Sequence, residues 1–299
     1  MQRDLLDFLK MHDVEYKENL ILADISPVKI GGEAEIVAYP DSLDKLINLV
    51  RFLWKTKIRY KIVGRMSNLL PPDEKYEGIV IRSDRINRFE LRGNILTAEC
   101  GVGLVRISSF LCKAGLSGFE GLSGIPGSLG GAVMVNAGAF GCEISDCISR
   151  VLVYDLGSDS VYYMVTDECA FSYRSSVFKS GRYVILSCEF KLREADTFSV
   201  SLEMERCREA RIRTQPVGVP SLGSTFKRPG EKIYAAKLID ECGLKGYKIG
   251  GSQISSKHAG FIVNSGGATS LDYRRLMNYA QKCVYKKFGV YLESEIEIM

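Results

Sequence analysis

The spacing of apolar residues along the chain predicts a succession of short strands and amphipathic helices. Leu43, Leu46, Ile47, Val50 and Leu53 recur at helical spacing, so a helix runs through Trp54 from an N-cap at Asp41 or Ser42. Before it, Leu5, Leu6 and Leu9 mark a short helix followed by a strand within residues 1–24, and residues 34–38 read as a second strand. Residues 60–63 form a short apolar strand ending at Gly64; strands follow at 78–81, 89–91 and 95–99, then a helix at 104–114. Beyond a glycine-rich stretch, 148–154, 161–165 and 183–192 restore a β pattern, with Gly157-Ser158-Asp159 as turn chemistry. A charged helical segment at 199–213 is ended by Gln215-Pro216, because the residue before a proline is pushed out of the helical region. Helices at 231–242 and 270–288, with strands at 261–263 and 296–298, complete the pattern. The change from β-rich to helical sequence near Asp196 predicts an α+β fold in two lobes, 1–195 and 196–299, the first subdivided near residue 60.

The interruption in this pattern is the most informative part of it. Glycine occupies positions 121, 124, 127, 130, 131, 138 and 141, with almost nothing bulky or charged between them. Backbone entropy makes such a run costly as a regular helix or strand. It suits a main chain that turns sharply and lies flat against a ligand, offering N–H groups to phosphate or ring atoms. The alternative is a set of tight turns between packed elements. The run holds no G-x-G-x-x-G. Gly101-Val102-Gly103 fails at its third glycine position, where Arg106 stands, and no G-x-x-x-x-G-K-[ST] occurs. Neither a Rossmann crevice nor a P-loop is supported. A strand running into Gly64-Arg65-Met66-Ser67-Asn68 would present backbone and a small hydroxyl to a phosphate, or would be a plain βα turn.

Composition narrows the class. A chain of 299 residues is long enough for two lobes. The formal charge of +4 is spread along the sequence, which suits a small anionic ligand and gives no basic stripe for nucleic acid. Met1-Gln2-Arg3-Asp4 leads into an amphipathic stretch, not a signal peptide, and no run approaches a membrane span, so a cytoplasmic protein is expected. The nine cysteines include no C-x-x-C pair and read as reduced, mostly structural thiols. With only His12 and His258, a histidine-rich metal site is excluded, and no G-x-S-x-G supports a nucleophilic triad.

Four motifs occur in order: Gly64-Arg65-Met66-Ser67-Asn68-Leu69-Leu70, Gly124-Ile125-Pro126-Gly127-Ser128-Leu129-Gly130-Gly131, Asn136-Ala137-Gly138-Ala139 and Tyr173-Arg174-Ser175-Ser176-Val177-Phe178. Together they resemble the UDP-N-acetylenolpyruvoylglucosamine reductases of bacterial peptidoglycan synthesis, from about Ile30 to the C-terminus. The resemblance implies a two-lobed flavoprotein. A vanillyl-alcohol-oxidase-like (PCMH-type) domain would bind FAD through the first three motifs, and a smaller α+β domain would take substrate. The interval from Arg174 to Ser224 matches the shorter subtype, which lacks an inserted lid carrying a substrate-binding tyrosine. Two departures stand out. Met66 occupies a place where the family usually shows a second glycine, and Ile25-Ser26-Pro27-Val28-Lys29 precedes Ile30-Gly31-Gly32 in place of the usual Asn-Thr pair.

Three residues carry the chemistry that the resemblance implies. Arg174 is a permanent cation with forked donors, suited to a carboxylate or to an enolate developing from one, although a lone loop arginine is ordinarily a surface ion pair. Ser224, in Gly223-Ser224-Thr225-Phe226-Lys227-Arg228, matches the family's proton donor; a hydroxyl beside a developing carbanion can deliver a proton when cations absorb the alkoxide charge. Its bland reading is an ST-turn or a helix cap. Glu295, two positions after Leu292-Glu293, matches the family's third catalytic residue; a solvated acidic face with Glu293 and Glu297 is the bland reading. Tyr173, Lys227, Arg228, His258 and Asn264 would face the anionic substrate, with His258 equally readable as a buried, satisfied histidine.

The resemblance thus implies an NADPH-dependent reduction of UDP-N-acetylglucosamine enolpyruvate to UDP-N-acetylmuramate by a cytoplasmic monomer that uses FAD and binds neither membrane nor nucleic acid. Two alternatives stay open on the residues alone. One is a flavin oxidase of the same fold acting on an alcohol or hydroxy acid, which would need a base where Arg174 offers a cation. The other is a non-catalytic UDP-sugar or flavin-binding protein.

Overall fold

The helix predicted from residue 41 or 42 shows how local sequence and core meet. In the computed structural model, which describes residues 2–299, it spans Leu43–Thr56. Ser42 Oγ accepts a hydrogen bond from the Lys45 N–H at 3.3 Å, satisfying one of the donors that every helix start leaves over. Leu46, Leu49, Val50 and Leu53 are buried, and Lys57 ends the helix in a left-handed conformation.

The chain divides into two compact units that do not follow its order. The first comprises Met1–Glu18, Ile36–Arg65 and Gly78–Glu209; the second comprises Asn19–Glu35, Met66–Glu77 and Ala210–Met299. The expected boundary at 195/196 differs from this in two ways. The last crossing falls inside the helix Thr197–Thr214, and two short N-terminal segments join the C-terminal unit. Side-chain caps and ladders far apart in sequence cause the second difference. Asp73 accepts from the Ser270 and Leu271 N–H groups at 2.6 and 2.9 Å, capping the helix Ser270–Phe288. Leu69–Leu70 pairs in parallel with Glu297–Ile298. Composition carries no trace of either tie.

Two sheets organise the N-terminal two-thirds. One has the order Glu15–Ile21, Glu33–Tyr39, Tyr76–Arg82, Tyr60–Val63, its last pair parallel with Tyr60 opposite Ile79. The other is antiparallel, in the order Ser160–Val165, Ile148–Asp155, Tyr183–Lys191, Ile95–Glu99, Phe89–Arg92. The change of sheet therefore lies between Arg82 and Phe89, not near residue 60. Leu96, Val151, Val153, Leu186 and Phe190 fill the core of the first unit together with Leu46 and Leu49.

The second unit is built on an antiparallel sheet ordered Ser221–Ser224, Phe261–Asn264, Ser252–Ile254, Lys248–Ile249. The helix Ser270–Phe288 buries Tyr273, Leu276, Met277, Ala280 and Val284 in the same core as Val28, Ile30 and Leu70. The helix expected at 231–242 is shorter, Ala235–Glu241, because Gly230 and Ile233 form a turn ahead of it.

The glycine run holds a larger surprise. Leu129–Met134, which includes Gly130 and Gly131, is helical, against the expectation that no regular element would form there. A Cβ on Gly130 would stand 3.0 Å from the Cβ of Cys100, and its N–H donates to the Cys100 carbonyl at 2.7 Å. Close packing that only glycine permits offsets its weak helix propensity.

Candidate active site

Arg174 sits in a two-residue turn closed by reciprocal main-chain bonds, Ser172 N–H to the Ser175 carbonyl at 3.1 Å and the reverse at 3.0 Å. Its φ is +54°, a left-handed conformation that costs an arginine about 1–2 kcal/mol and must be imposed by its surroundings. Three groups impose it. Ser176 Oγ donates to the Met134 carbonyl at 2.6 Å, tying the turn to the end of the short helix. The Asn136 amide donates to the Ser172 carbonyl at 3.3 Å and to Glu143 at 2.9 Å, and accepts from the Ser145 N–H at 3.0 Å. The guanidinium donates through Nη2 to the Gly138 carbonyl at 2.9 Å and lies over the Tyr173 ring, 5.0 Å from its centroid. Arg174 is therefore a placed residue, half-buried and anchored on the third predicted motif.

Asn136, expected to touch the cofactor, holds the Arg174 turn: it is 1% exposed and its amide is engaged on both sides within the protein. Sequence reasoning missed Ser176 as a support of that turn, although a serine two positions from a functional arginine in a glycine-poor loop was a usable signal.

The residues of the first unit fit a flat dinucleotide. Gly64 lies against Ser128 so closely that a Cβ would stand 1.9 Å from Ser128 Oγ, so two of the predicted cofactor loops adjoin with no space for a side chain. A guanidinium, that of Arg65, packs over Gly103. Ser123, Gly124 and Ile125 are half-exposed and Pro126 is exposed, leaving an uncharged ribbon of chain at the surface of the unit. The N–H groups of Leu129 and Gly130 donate to the Val102 and Cys100 carbonyls at 2.8 and 2.7 Å. The ribbon before the helix, and not those first helical N–H groups, is thus the part that can face a ligand.

In the second unit, Ser224 ends a strand and is exposed, neither an ST-turn nor a helix cap. It pairs with Phe261 after a register shift that follows the Ser221–Val263 pair. The next residue, Thr225, is buried and fully engaged. Its N–H donates to the Gly260 carbonyl at 2.8 Å, its carbonyl accepts from the Glu295 N–H at 2.9 Å, and its Oγ1 accepts from the Ile262 N–H at 3.2 Å beside the Tyr273 hydroxyl. Ser224 and Glu295 thereby stand on adjoining main-chain segments, and Phe226 continues the pairing with Ser294. Of the three glutamates on the C-terminal face, Glu293 and Glu297 are exposed and Glu295 is half-buried. An isolated acidic strand would expose all three alike.

The remaining candidates separate cleanly. Lys227 is ion-paired with Glu293, whose carbonyl also accepts the Lys227 N–H at 2.9 Å. Arg228 is exposed on the following turn. His258 Nδ1 accepts the Gly260 N–H at 3.1 Å, and burial pushes its pKa below the ordinary histidine value. These observations favour the satisfied histidine over a substrate contact. Asn264 is structural: it donates to the Val28 and Lys29 carbonyls at 3.0 and 3.1 Å and accepts from Gly266 and Ala268 at 2.9 and 3.2 Å, which uses its full capacity. Those bonds hold the Ile25–Lys29 region that departs from the family pattern.

Met66 has φ +55° and is 3% exposed. The left-handed backbone accounts for the glycine usual there, and the methionine side chain is buried instead of standing out from the loop. Burial pushes the Cys100, Cys147 and Cys169 thiols up to about 12, which keeps them protonated and marks these three as structural. Among the described residues no helix is long and apolar enough to cross a membrane, and no group of three or more His, Cys, Asp or Glu could hold a metal ion.

Comparison with known proteins adds the family context. Residues 34–160 match the FAD binding domain family, and residues 215–299 match the C-terminal domain of UDP-N-acetylenolpyruvoylglucosamine reductase. A UDP-N-acetylenolpyruvoylglucosamine reductase of Caldicellulosiruptor bescii is 41% identical over 295 residues, which span 98% of this chain and 93% of that protein. Its namesake from Thermotoga maritima is 39% identical over 274 residues, 91% of this chain and 94% of that one. The crystal structure of UDP-N-acetylenolpyruvylglucosamine reductase (MurB) from Thermus caldophilus matches with a TM-score of 0.81 at 31% identity, covering 95% of this chain and 98% of that one.

Proposed function

The chain belongs to the UDP-N-acetylenolpyruvoylglucosamine reductase family, and we infer that it reduces UDP-N-acetylglucosamine enolpyruvate to UDP-N-acetylmuramate for peptidoglycan synthesis, with FAD as cofactor and NADPH as reductant. The redox chemistry, hydride transfer from NADPH to the terminal vinyl carbon of the substrate, would be supplied by bound FAD. The main chain at Gly64-Arg65 and from Gly124 to Ser128 would hold it, as the Gly64–Ser128 approach and the half-exposed ribbon support. In this reading the first unit carries the cofactor and the second the substrate lobe.

The protein's own residues manage charge and proton. Hydride addition to the vinyl carbon places negative charge on the adjoining carbon and its carboxylate. Arg174, a fixed cation in an imposed conformation, is suited to stabilise that charge without reorganising. Ser224 Oγ then gives its proton to the carbon bearing the carboxylate, with Glu295 assisting from the neighbouring segment. Lys227 and Arg228 would attract the substrate's pyrophosphate. The observation that supports this assignment is the Glu295 N–H bond to the Thr225 carbonyl, which brings the half-buried residue Glu295 onto the segment beside the strand end that exposes Ser224.

The test separates the two halves of the reaction. Ser224→Ala should still bleach on adding NADPH, yet the return of flavin colour on adding the enolpyruvyl sugar should slow by about 10²–10⁴-fold, the usual range for losing a general acid. A Ser224→Ala enzyme that recolours at the wild-type rate would remove the serine from the mechanism.

A further inference from the structure

The amide of Asn68 lies where sequence motifs lead one to expect a cofactor contact, but its bonds run elsewhere. Asn68 Nδ2 donates to the Glu295 carbonyl at 2.9 Å, and the Asn68 carbonyl accepts the Glu297 N–H at 3.0 Å. The parallel pairing of Leu69–Leu70 with Glu297–Ile298 stops at Glu297, two residues short of the residue whose carboxyl is assigned a role. The Asn68 side chain supplies a bond beyond the end of that ladder. Glu295 is consequently gripped on both sides of its Cα, its N–H by Thr225 and its carbonyl by Asn68.

We propose that Asn68 is a positioning residue for Glu295, fixing the peptide that follows it and hence the direction of its carboxyl, and is not a ligand of the flavin. This rests on the reading that Glu295 acts in the reduction. Without the amide, the Glu295 carbonyl loses a donor and the peptide a restraint on its orientation; a misplacement of about 1 Å at a reacting group is enough to cost 10²-fold. Only the step that uses Glu295 should feel the change. Flavin binding and its reduction by NADPH should not.

Asn68→Asp keeps the shape and removes the donor; Asn68→Ala removes both, so the pair guards against an uninformative misfolded variant. The holoenzyme variants, checked for an unchanged melting temperature, should keep wild-type flavin content, visible spectrum and bleaching rate with NADPH. Recolouring with the enolpyruvyl sugar should slow by about tenfold or more. Glu295→Gln combined with Asn68→Asp should be no slower than Glu295→Gln alone, because the first substitution removes what the second misplaces. Loss of flavin from both variants, additive effects in the double variant, or an unchanged recolouring rate would each overturn the proposal. A wild-type enzyme that never recolours would instead overturn the reaction itself.

Discussion

The turn that carries Arg174 is closed by its own main chain but tied to the rest of its unit by side chains, whereas the segments that carry Ser224 and Glu295 are tied mainly by main chain. In the first unit, Ser176 and Asn136 pin a left-handed arginine that would relax without them. In the second, Ser224 ends a sheet strand and Glu295 is bonded through its own N–H, with the Asn68 amide on its carbonyl. A conformation imposed by side chains can be dismantled by single substitutions. A backbone ladder tolerates most of them, because every residue type offers the same N–H and C=O. The first region should therefore be the fragile one.

The sharpest way to break that contrast is Asn136→Ala. It takes one hydrogen bond each from the Ser145 N–H, the Ser172 carbonyl and Glu143, and should cost about 2–3 kcal/mol in chemical denaturation while slowing recolouring. A variant as stable as wild type would show that the turn holds itself. Ser176→Ala removes one bond to the Met134 carbonyl and should cost about 1 kcal/mol, again with slower recolouring, since Arg174 is released. Thr225→Val is the matched probe of the second region. The Ile262 N–H loses an acceptor and the Tyr273 hydroxyl a partner, for a comparable cost of about 1 kcal/mol, but the bonds made by the Thr225 main chain survive. Its recolouring rate should stay within about threefold of wild type; a Thr225→Val enzyme as slow as Ser176→Ala would erase the distinction.

Acid should sharpen the comparison with the smallest effects. In the first unit, the Arg182 guanidinium holds the Asp155 carboxyl far below its ordinary pKa, and Arg51, Tyr154 and Lys55 hold Asp159 down at about 2. Those contributions are whole above the ordinary carboxylate value near 4 and fade as pH falls from there through the folded values. In the second unit, burial lowers the His258 pKa, so its contribution is whole above the ordinary value near 6.5 and fades as pH drops below it. Denaturation midpoints measured against pH should lose their decline below about 6.5 in His258→Phe, and part of their decline below about 4 in Asp155→Asn. Identical profiles for both variants and wild type would contradict these assignments.

Much of this was legible from local pattern. Helical spacing and the Ser42 cap gave the helix Leu43–Thr56 to within two residues, and the period-2 runs gave the strands of the larger sheet. The ordered motifs pointed to the family that the comparisons bear out. What escaped the sequence depended on partners far along the chain. The helix within the glycine run exists because Cys100 lies against Gly130, and segments 19–35 and 66–77 join the second unit through bonds such as those of Asn264 and Asp73. Asn68, Asn136 and Asn264, expected at the ligands, bond neighbouring main-chain carbonyls, and an asparagine in a motif looks the same whether its amide faces a ligand or such a carbonyl. Only the partners distinguish them.

The central claim is that this chain delivers hydride and then a proton to the two carbons of an enolpyruvyl group. Anaerobic reduction of the holoenzyme with NADPH, followed by addition of UDP-N-acetylglucosamine enolpyruvate in heavy water, tests it most directly. Flavin colour should return in a single turnover, and UDP-N-acetylmuramate should carry solvent deuterium on the carbon bearing the carboxylate. A bleached enzyme that stays colourless when the sugar is added would contradict it.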